Sequence, residues 1–384
     1  MESQKLSLYD IAVMGQPEAH ILESLRSKVC ELISMFEMKL GSEVGWYDPS
    51  ESFNPNKKRS TVIVFFGNQE VVDQDVEHLV AYKLPILPVV SNLNQVSNEL
   101  PHELRHLNCL ASNEAGIERL ASALLECIGL LPRQRRVFVS YRRNEAREAA
   151  LQLFDSLSAR LFDVFLDTHG VPPSEDFQAM LWHRLCDSDV LLMLDTPEYF
   201  ESRWTAAEYG RAMAKGISVL RVSWPGVTPS PRTQTACSLD LKEKDVDNQT
   251  GLICDSAIEK ICYQLEKVRS ESQAVRNVNI VSNLRIALEK VGGELLGIGT
   301  NKAIFTRLAD QREITVYPSV GVPNSTSLHF AEKNANRKNA VVIYDHIGLH
   351  TEWQEHLDWL GSNIKSVKWV KLAEAAWQFA DWED

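Results

Sequence analysis

The chain has no stretch that reads as a bilayer crossing, because no run approaches the roughly 18 apolar residues such a helix needs. Its first residues, Met1-Glu2-Ser3-Gln4-Lys5, lack the apolar centre of a secretory leader, so a cytoplasmic protein without a membrane partner is expected. Basic residues are also in deficit: 40 Lys and Arg stand against 52 Asp and Glu, a formal charge of -12. Nucleic-acid binding draws most of its non-specific affinity from clustered cations on phosphates, so no nucleic-acid partner is expected. A small dinucleotide is still compatible, since a local pocket can be positive on an acidic protein. The seven cysteines are odd in number, scattered and without a CxxC pair, which fits reduced thiols rather than a disulfide framework or a zinc knuckle. His102-Glu103-Leu104-Arg105-His106 has the HExxH spacing of a zinc site. It follows Pro101, is itself polar and has no third ligand at the usual spacing, so it reads as a chance match and no metal is expected. The glycines at 292, 293, 297 and 299 are too incomplete a set for a phosphate loop and read as a turn before a strand.

What is present suits ordinary globular folding. With 44% apolar and 24% charged residues the chain can bury normal cores, and 384 residues suit two or three domains. Between 137 and 224, short apolar runs alternate with helical patterns. Val137-Phe138-Val139-Ser140-Tyr141 reads as a strand, Glu145 to Leu161 as a helix, Val164-Phe165-Leu166-Asp167 as a second strand, and Val190-Leu191-Leu192-Met193-Leu194 as a buried strand. Turn residues bound each run, so a parallel sheet with crossover helices is expected. A glutamate then stands on a small-residue helix, Trp204-Thr205-Ala206-Ala207-Glu208, with Ser202 as its N-cap and Gly216 as its stop.

From Arg136 to about Arg269 these residues resemble the Toll/interleukin-1 receptor (TIR) domain family. The likeness rests on Val137-Phe138-Val139-Ser140-Tyr141-Arg142 and on Phe165-Leu166-Asp167 leading into Gly170-Val171-Pro172-Pro173. It also rests on Ser188 to Leu194 followed by Thr196-Pro197, and on Trp204 four residues before Glu208. The resemblance implies a domain of the bacterial NAD-cleaving type, an NAD+ glycohydrolase with Glu208 as catalytic glutamate, NAD+ as substrate and no cofactor. Other TIR domains only assemble. A non-catalytic scaffold, or a cyclase making a cyclic ADP-ribose type of signal, therefore stays open beside the glycohydrolase.

Helical spacing sets Trp204, Glu208 and Arg211 on one stripe and Ala206, Gly210 and Met213 on another suited to packing on the sheet, so Glu208 need not point into the core. A carboxylate beside the ribose suits the reaction, because breaking the bond to a cationic pyridinium leaves oxocarbenium character on the ribose that a negative charge stabilises. One carboxylate suffices, since nicotinamide departs neutral without being protonated. The plainer alternative is a solvated Glu208 paired with Arg211. Tyr141 and Arg142, just past the first strand's carboxyl end, are candidates for adenine or phosphate contacts. Trp204 is a candidate to wall the nicotinamide pocket, or else packs beneath a loop. Asp167 completes the substrate-binding candidates. The loop Thr168 to Ser174, with Gly170, Pro172 and Pro173, resembles the family's assembly loop, so a homo-oligomer through TIR contacts is expected.

Upstream, the order repeats: a strand over 9–15, a helix over 19–40, strands at Val44 to Asp48 and Thr61 to Asn68, a helix to Tyr82 and a strand from Pro85 to Val90. Aligning Lys83–Val90 with Lys215–Val222 sets Val76 opposite Glu208 and Val72 opposite Trp204. Glu77 would point about 100° away, so this first unit lacks the chemistry. After the TIR-like segment, Glu259 to Arg276 reads as a helix and linker. A third unit begins near Asn279, with a helix to Val291, strands at Glu313 to Tyr317, Ala340 to Asp345 and Val367 to Val370, and helices from Thr351 to Leu360 and ending near Trp382. Ser325-Thr326-Ser327, Asn334, Asn336, Arg337 and Asp345-His346 gather at its expected strand ends. They could meet a small nucleotide signal, although solvated loops are the simpler account.

The expected fold is α/β: flavodoxin-like parallel sheets with flanking helices in three consecutive units. Residues 1–130 form a degenerate TIR-like or flavodoxin-like domain, 131–272 a TIR domain, and 273–384 a sensor or docking domain. The expected function is NAD+ cleavage, in bacterial antiphage defence, with a nucleotide or protein trigger at either flanking unit.

Overall fold

The computed structural model describes residues 7–51, 53–56, 58–67, 76, 80, 83–112, 116–166, 177–335 and 339–382. It divides into two compact units, Met1–Arg133 with Gly299–Lys302, and Gln134–Ile298 with Ala303–Asp384. No helix among the described residues is long and apolar enough to cross a membrane.

In the first unit, β1 (Tyr9–Gly15), β2 (Val44–Tyr47), β3 (Ser60–Phe66), β4 (Ile86–Val90) and β5 (Leu110–Ala111) form a sheet in the order β2-β1-β3-β4-β5. Its strand pairs are all parallel. The central strands are continuous apolar runs, Ile11 to Val13 and Val62 to Phe66, because both faces are covered and neither can be polar. Helices α1 (Ala19–Ser34) and α2 (Gly116–Cys127) pack against each other, burying Leu25, Val29, Leu120 and Leu124.

The second unit starts with the same topology. Strands β6 (Arg136–Ser140), β7 (Asp163–Leu166), β8 (Val190–Asp195), β9 (Ser218–Ser223) and β10 (Cys237–Asp240) lie parallel in the order β7-β6-β8-β9-β10. Alternation along the strands sends Val137, Val139, Leu192 and Leu220 to one face, under α3 (Arg143–Ser158) and the first half of α6 (Asp255–Lys290). Phe138, Leu191, Met193 and Val219 go to the other, under α4 (Phe177–Asp187) and α5 (Arg203–Ala214).

The expected linker before the third sheet does not exist. Helix α6 runs unbroken for 36 residues. Its polar middle, which suggested a linker, is a buried network instead. Arg269 donates through Nε to Asp189 Oδ2 at 3.1 Å, Gln273 Nε2 to Asp189 Oδ1 at 2.6 Å, and Arg276 Nη1 to the Ser188 carbonyl at 2.9 Å. Past that network, Ile280, Leu284 and Leu288 of the same helix enter the core of the next sheet.

That sheet is ordered β11 (Glu294–Ile298), β12 (Ile304–Arg307), β13 (Glu313–Ser319), β14 (Ala340–Tyr344), β15 (Val367–Lys371). It is mixed rather than parallel, since β11, β12 and β13 pair antiparallel and only β13, β14 and β15 are parallel. The reason is connection length: a short turn joins β11 to β12 and can return the chain only antiparallel, whereas α7 (Ser325–Asn334) and α8 (Thr351–Asn363) supply crossovers for the parallel pairs. Helix α9 (Ala375–Ala380) closes the face that α6 covers.

Candidate functional site

Glu208 faces inward. Ser202 caps α5 by accepting from the Trp204 N–H at 3.3 Å, and Gly216, at φ 65°, ends it in the left-handed conformation that glycine adopts without strain. Between these ends the packed face is Thr205, Glu208, Tyr209 and Ala212, and not the expected stripe of Ala206, Gly210 and Met213, of which Gly210 and Met213 are exposed. The small residues misled because the deciding contact is polar. Glu208 is only 6% exposed and takes a hydrogen bond from Ser140 Oγ to its Oε2 at 2.5 Å.

A second hydroxyl stands behind the first. Tyr199 OH lies 2.6 Å from Ser140 Oγ, and because the single Ser140 proton goes to Glu208, Tyr199 is the donor of that pair. Burial, and then the charge of Glu208, hold the Tyr199 phenol well above its usual range, so it remains a donor at all working pH values. Thr205 Oγ1 donates to the Tyr199 carbonyl and fixes the short turn that carries the tyrosine. Neither Ser140 nor Tyr199 was singled out from the sequence as a site residue.

Glu208 forms part of the wall of a cavity of about 660 Å³ at the carboxyl end of β6. Four expected site residues meet there: Tyr141, Arg142, Trp204 and Glu208 all line it. Tyr141 is buried, as a ring at the end of a central strand must be. Trp204 is 40% exposed, with the Arg203 guanidinium 4.5 Å from its ring centre, so it flanks the opening instead of packing beneath a loop. Arg142 is held by acids. Its Nη1 pairs with Glu198, lies 3.5 Å from Glu201 and 3.9 Å from Glu145, and donates to the Glu198 carbonyl at 3.0 Å. A phosphate on Arg142 would have to compete with that cluster. Arg211 turns away from Glu208, its guanidinium 3.3 Å from the ring centre of Trp182, which removes the solvated Glu208–Arg211 pair as an account of this helix. Asp167, Gly170, Pro172 and Pro173, with the rest of the expected assembly loop, lie outside the described residues.

Elsewhere the structure sorts the remaining motifs. His102–Leu104 is a single short 3-10 turn, so His102 and His106 do not share the α-helical face that a zinc site of this spacing requires. Val76 is buried among Phe65, Val90, Leu100 and Leu104, an apolar core position where its counterpart Glu208 meets a cavity. Of the polar groups in the third sheet, Ser325, Thr326 and Ser327 form the first turn of α7, capped by Asn324, and Asn334 Nδ2 donates to the Phe330 carbonyl. Asp345 pairs with Lys215, and Asn336 and Arg337 lie outside the described residues.

Compared with known families, residues 137–253 match a model described as TIR domain. No curated protein matches the chain.

Proposed function

This chain carries a TIR domain at residues 137–253, and we propose that the domain cleaves the nicotinamide–ribose bond of NAD+, with Glu208 as the group that stabilises the transition state. The observation that carries this reading is a carboxylate, buried and held by a serine–tyrosine hydroxyl pair, in the wall of an open cavity at the carboxyl end of a parallel sheet. A cavity of about 660 Å³ is large enough for a dinucleotide half inserted through its ribose and nicotinamide.

In the reaction, the bond between ribose C1′ and the pyridinium nitrogen breaks and its electron pair stays on nitrogen, so nicotinamide leaves neutral. Positive charge develops at C1′ and the ring oxygen, and the Glu208 carboxylate, fixed before substrate arrives, stabilises it without reorganising. Water then adds to C1′ and loses a proton, giving ADP-ribose. Attack by an adenine nitrogen of the same molecule gives the cyclic product instead. Trp204 flanks the opening where the nicotinamide ring would stack. Activity in antiphage defence, and assembly into a homo-oligomer, belong to the same proposal.

Incubating the full-length protein with NAD+ should release nicotinamide, and Glu208→Gln should lower that release about 10²- to 10⁴-fold with the fold retained. Equal release by wild type and variant would remove Glu208 from the chemistry. No release from the wild type at any protein concentration would leave the scaffold reading in its place.

A further inference from the structure

A second cavity, of about 360 Å³, opens at the carboxyl ends of β13, β14 and β15. Ser319, Val320 and Gly321 border it from β13, Asp345 from just after β14, and Leu372 from just after β15. In open α/β sheets that rim is where small molecules bind, and the cavity at Glu208 occupies the same place in its own sheet. The facing wall belongs to the TIR domain and the long helix: Lys215 at the end of α5, and Arg276, Asn279 and Asn283 on one face of α6.

The chemistry of the lining is that of an anion site. Two cations and two carboxamides line the cavity against a single lining carboxylate in a protein of formal charge -12, while Asp187 and Asp189 behind Arg276 offset part of its charge and leave Lys215 as the cation an anion would meet. The carboxylate is Asp345, which takes a hydrogen bond from Lys215 Nζ on Oδ2 at 2.5 Å and from the Ile347 N–H on Oδ1 at 3.0 Å. Lys215 is the deeper partner, its side chain 11% exposed against 40% for Asp345. A carboxylate of the chain thus sits, from the solvent side, on the cation that an incoming anion would seek. Arg276 spends its Nη1 and Nη2 on the Ser188 and Cys186 carbonyls at 2.9 and 3.2 Å, and contributes as a fixed buried charge. Ile280, Val320 and Leu372 add an apolar strip. The volume is near the lower limit of small-molecule sites, about 300 Å³, which suits a mononucleotide and not a dinucleotide.

We propose that this cavity binds a small organic phosphate of nucleoside-monophosphate size, its phosphate displacing Asp345 from Lys215 and its ring system lying on Ile280, Val320 and Leu372. The site is separate from the NAD+ cavity and does not depend on the chemistry assigned there.

The test is calorimetric titration of the full-length protein with AMP, with adenosine as the uncharged arm. AMP should bind, and at least tenfold more tightly than adenosine. Lys215→Met should weaken AMP at least tenfold, because it removes the cation. Asp345→Asn should tighten it severalfold, because it removes the competitor. Asn283 is exposed, so Asn283→Asp adds a negative charge at the cavity without disturbing the core and should also weaken AMP. Absence of AMP binding at millimolar concentration overturns the proposal. So does adenosine binding as tightly as AMP, AMP affinity unchanged in both Lys215→Met and Asn283→Asp, or weaker binding by Asp345→Asn.

Discussion

Ser140 has one proton to give, and giving it to Glu208 Oε2 at 2.5 Å fixes one oxygen of the carboxylate while the cavity wall keeps the group in reach of substrate. A hydrogen bond to a charged group contributes about 1.5–3 kcal/mol, so Ser140→Ala should lower turnover about 10- to 100-fold with KM changed much less, because the contact orients the carboxylate and does not hold substrate. Ser140→Thr keeps a hydroxyl and should recover part of that loss. Tyr199→Phe should have a smaller effect, since it removes only the donor behind the serine. Steady-state rates of nicotinamide release decide all three, and Ser140→Ala at wild-type kcat would show the bond to be structural only. The glutamate was legible in the sequence because its signals are local: a cap, a stop and a tryptophan one turn away. Its partners were not, because Ser140 lies 68 positions from it in sequence and meets it only where β6 ends, and Tyr199, on a 3-10 turn 9 positions before it, reaches it through Ser140. Arg142 shows the converse, a residue whose position was legible and whose surroundings, two carboxylates from one other segment and a third from the helix it opens, were not.

At the scale of elements, strands were read more reliably than the long helix. Strand runs such as Val190 to Leu194 are apolar for a single reason, burial on both faces, whereas α6 changes its surroundings along its length and so has no single apolar stripe. Its middle is held by Asp189, which accepts from Arg269, Gln273 and the Arg136 N–H. Removing Asp189 takes away the acceptor shared by Arg269, Gln273 and the Arg136 N–H and leaves Arg269 with Glu266 at 3.8 Å and the Gln134 carbonyl, so Asp189→Ala should lower unfolding free energy by about 3 kcal/mol, measured by denaturant titration. Helix α4 carries a pH-dependent contact. His183 lies against Trp353 and accepts from the His350 N–H at 3.3 Å, and burial, followed by the charges of Arg184 and His350, lowers its pKa from 6.5 to about 4. The unfolded chain therefore binds a proton between pH 6.5 and 4 that the folded chain does not. Stability from this residue is complete above about pH 6.5 and is lost as pH falls toward 4. His183→Gln, which cannot titrate, should show a smaller drop in Tm than wild type between pH 7 and 5, and parallel curves would show that the histidine charges freely in the folded protein.

Across the whole molecule, two five-stranded parallel sheets repeat one order with opposite contents at the equivalent helix position: Glu208 beside a cavity in one, Val76 in an apolar cluster in the other. The repeat was legible because β-strand runs of the same spacing recur, and the absence of a carboxylate at that helix position in the first unit was legible from the identity of one residue. The mixed third sheet was not, since β11 and β12 are short, half-exposed strands whose pattern carries little apolar signal. The difference between the two parallel sheets gives a full-chain test. If catalysis needed only a carboxylate at that helix position, Val76→Glu in a Glu208→Gln background would restore nicotinamide release. The structure leads to the opposite expectation. Strand β1 ends on Met14 and Gly15 where β6 ends on Ser140, so the first sheet offers no hydroxyl at that strand end, and among the described residues the new carboxyl would be packed against Phe65, Val90, Leu100 and Leu104. Burying it there should destabilise the first unit by about 2–4 kcal/mol, seen as an earlier transition in denaturant, and should add no activity. Release restored to the double variant would mean that the first sheet retains a working cavity, and that the two units differ by one residue alone.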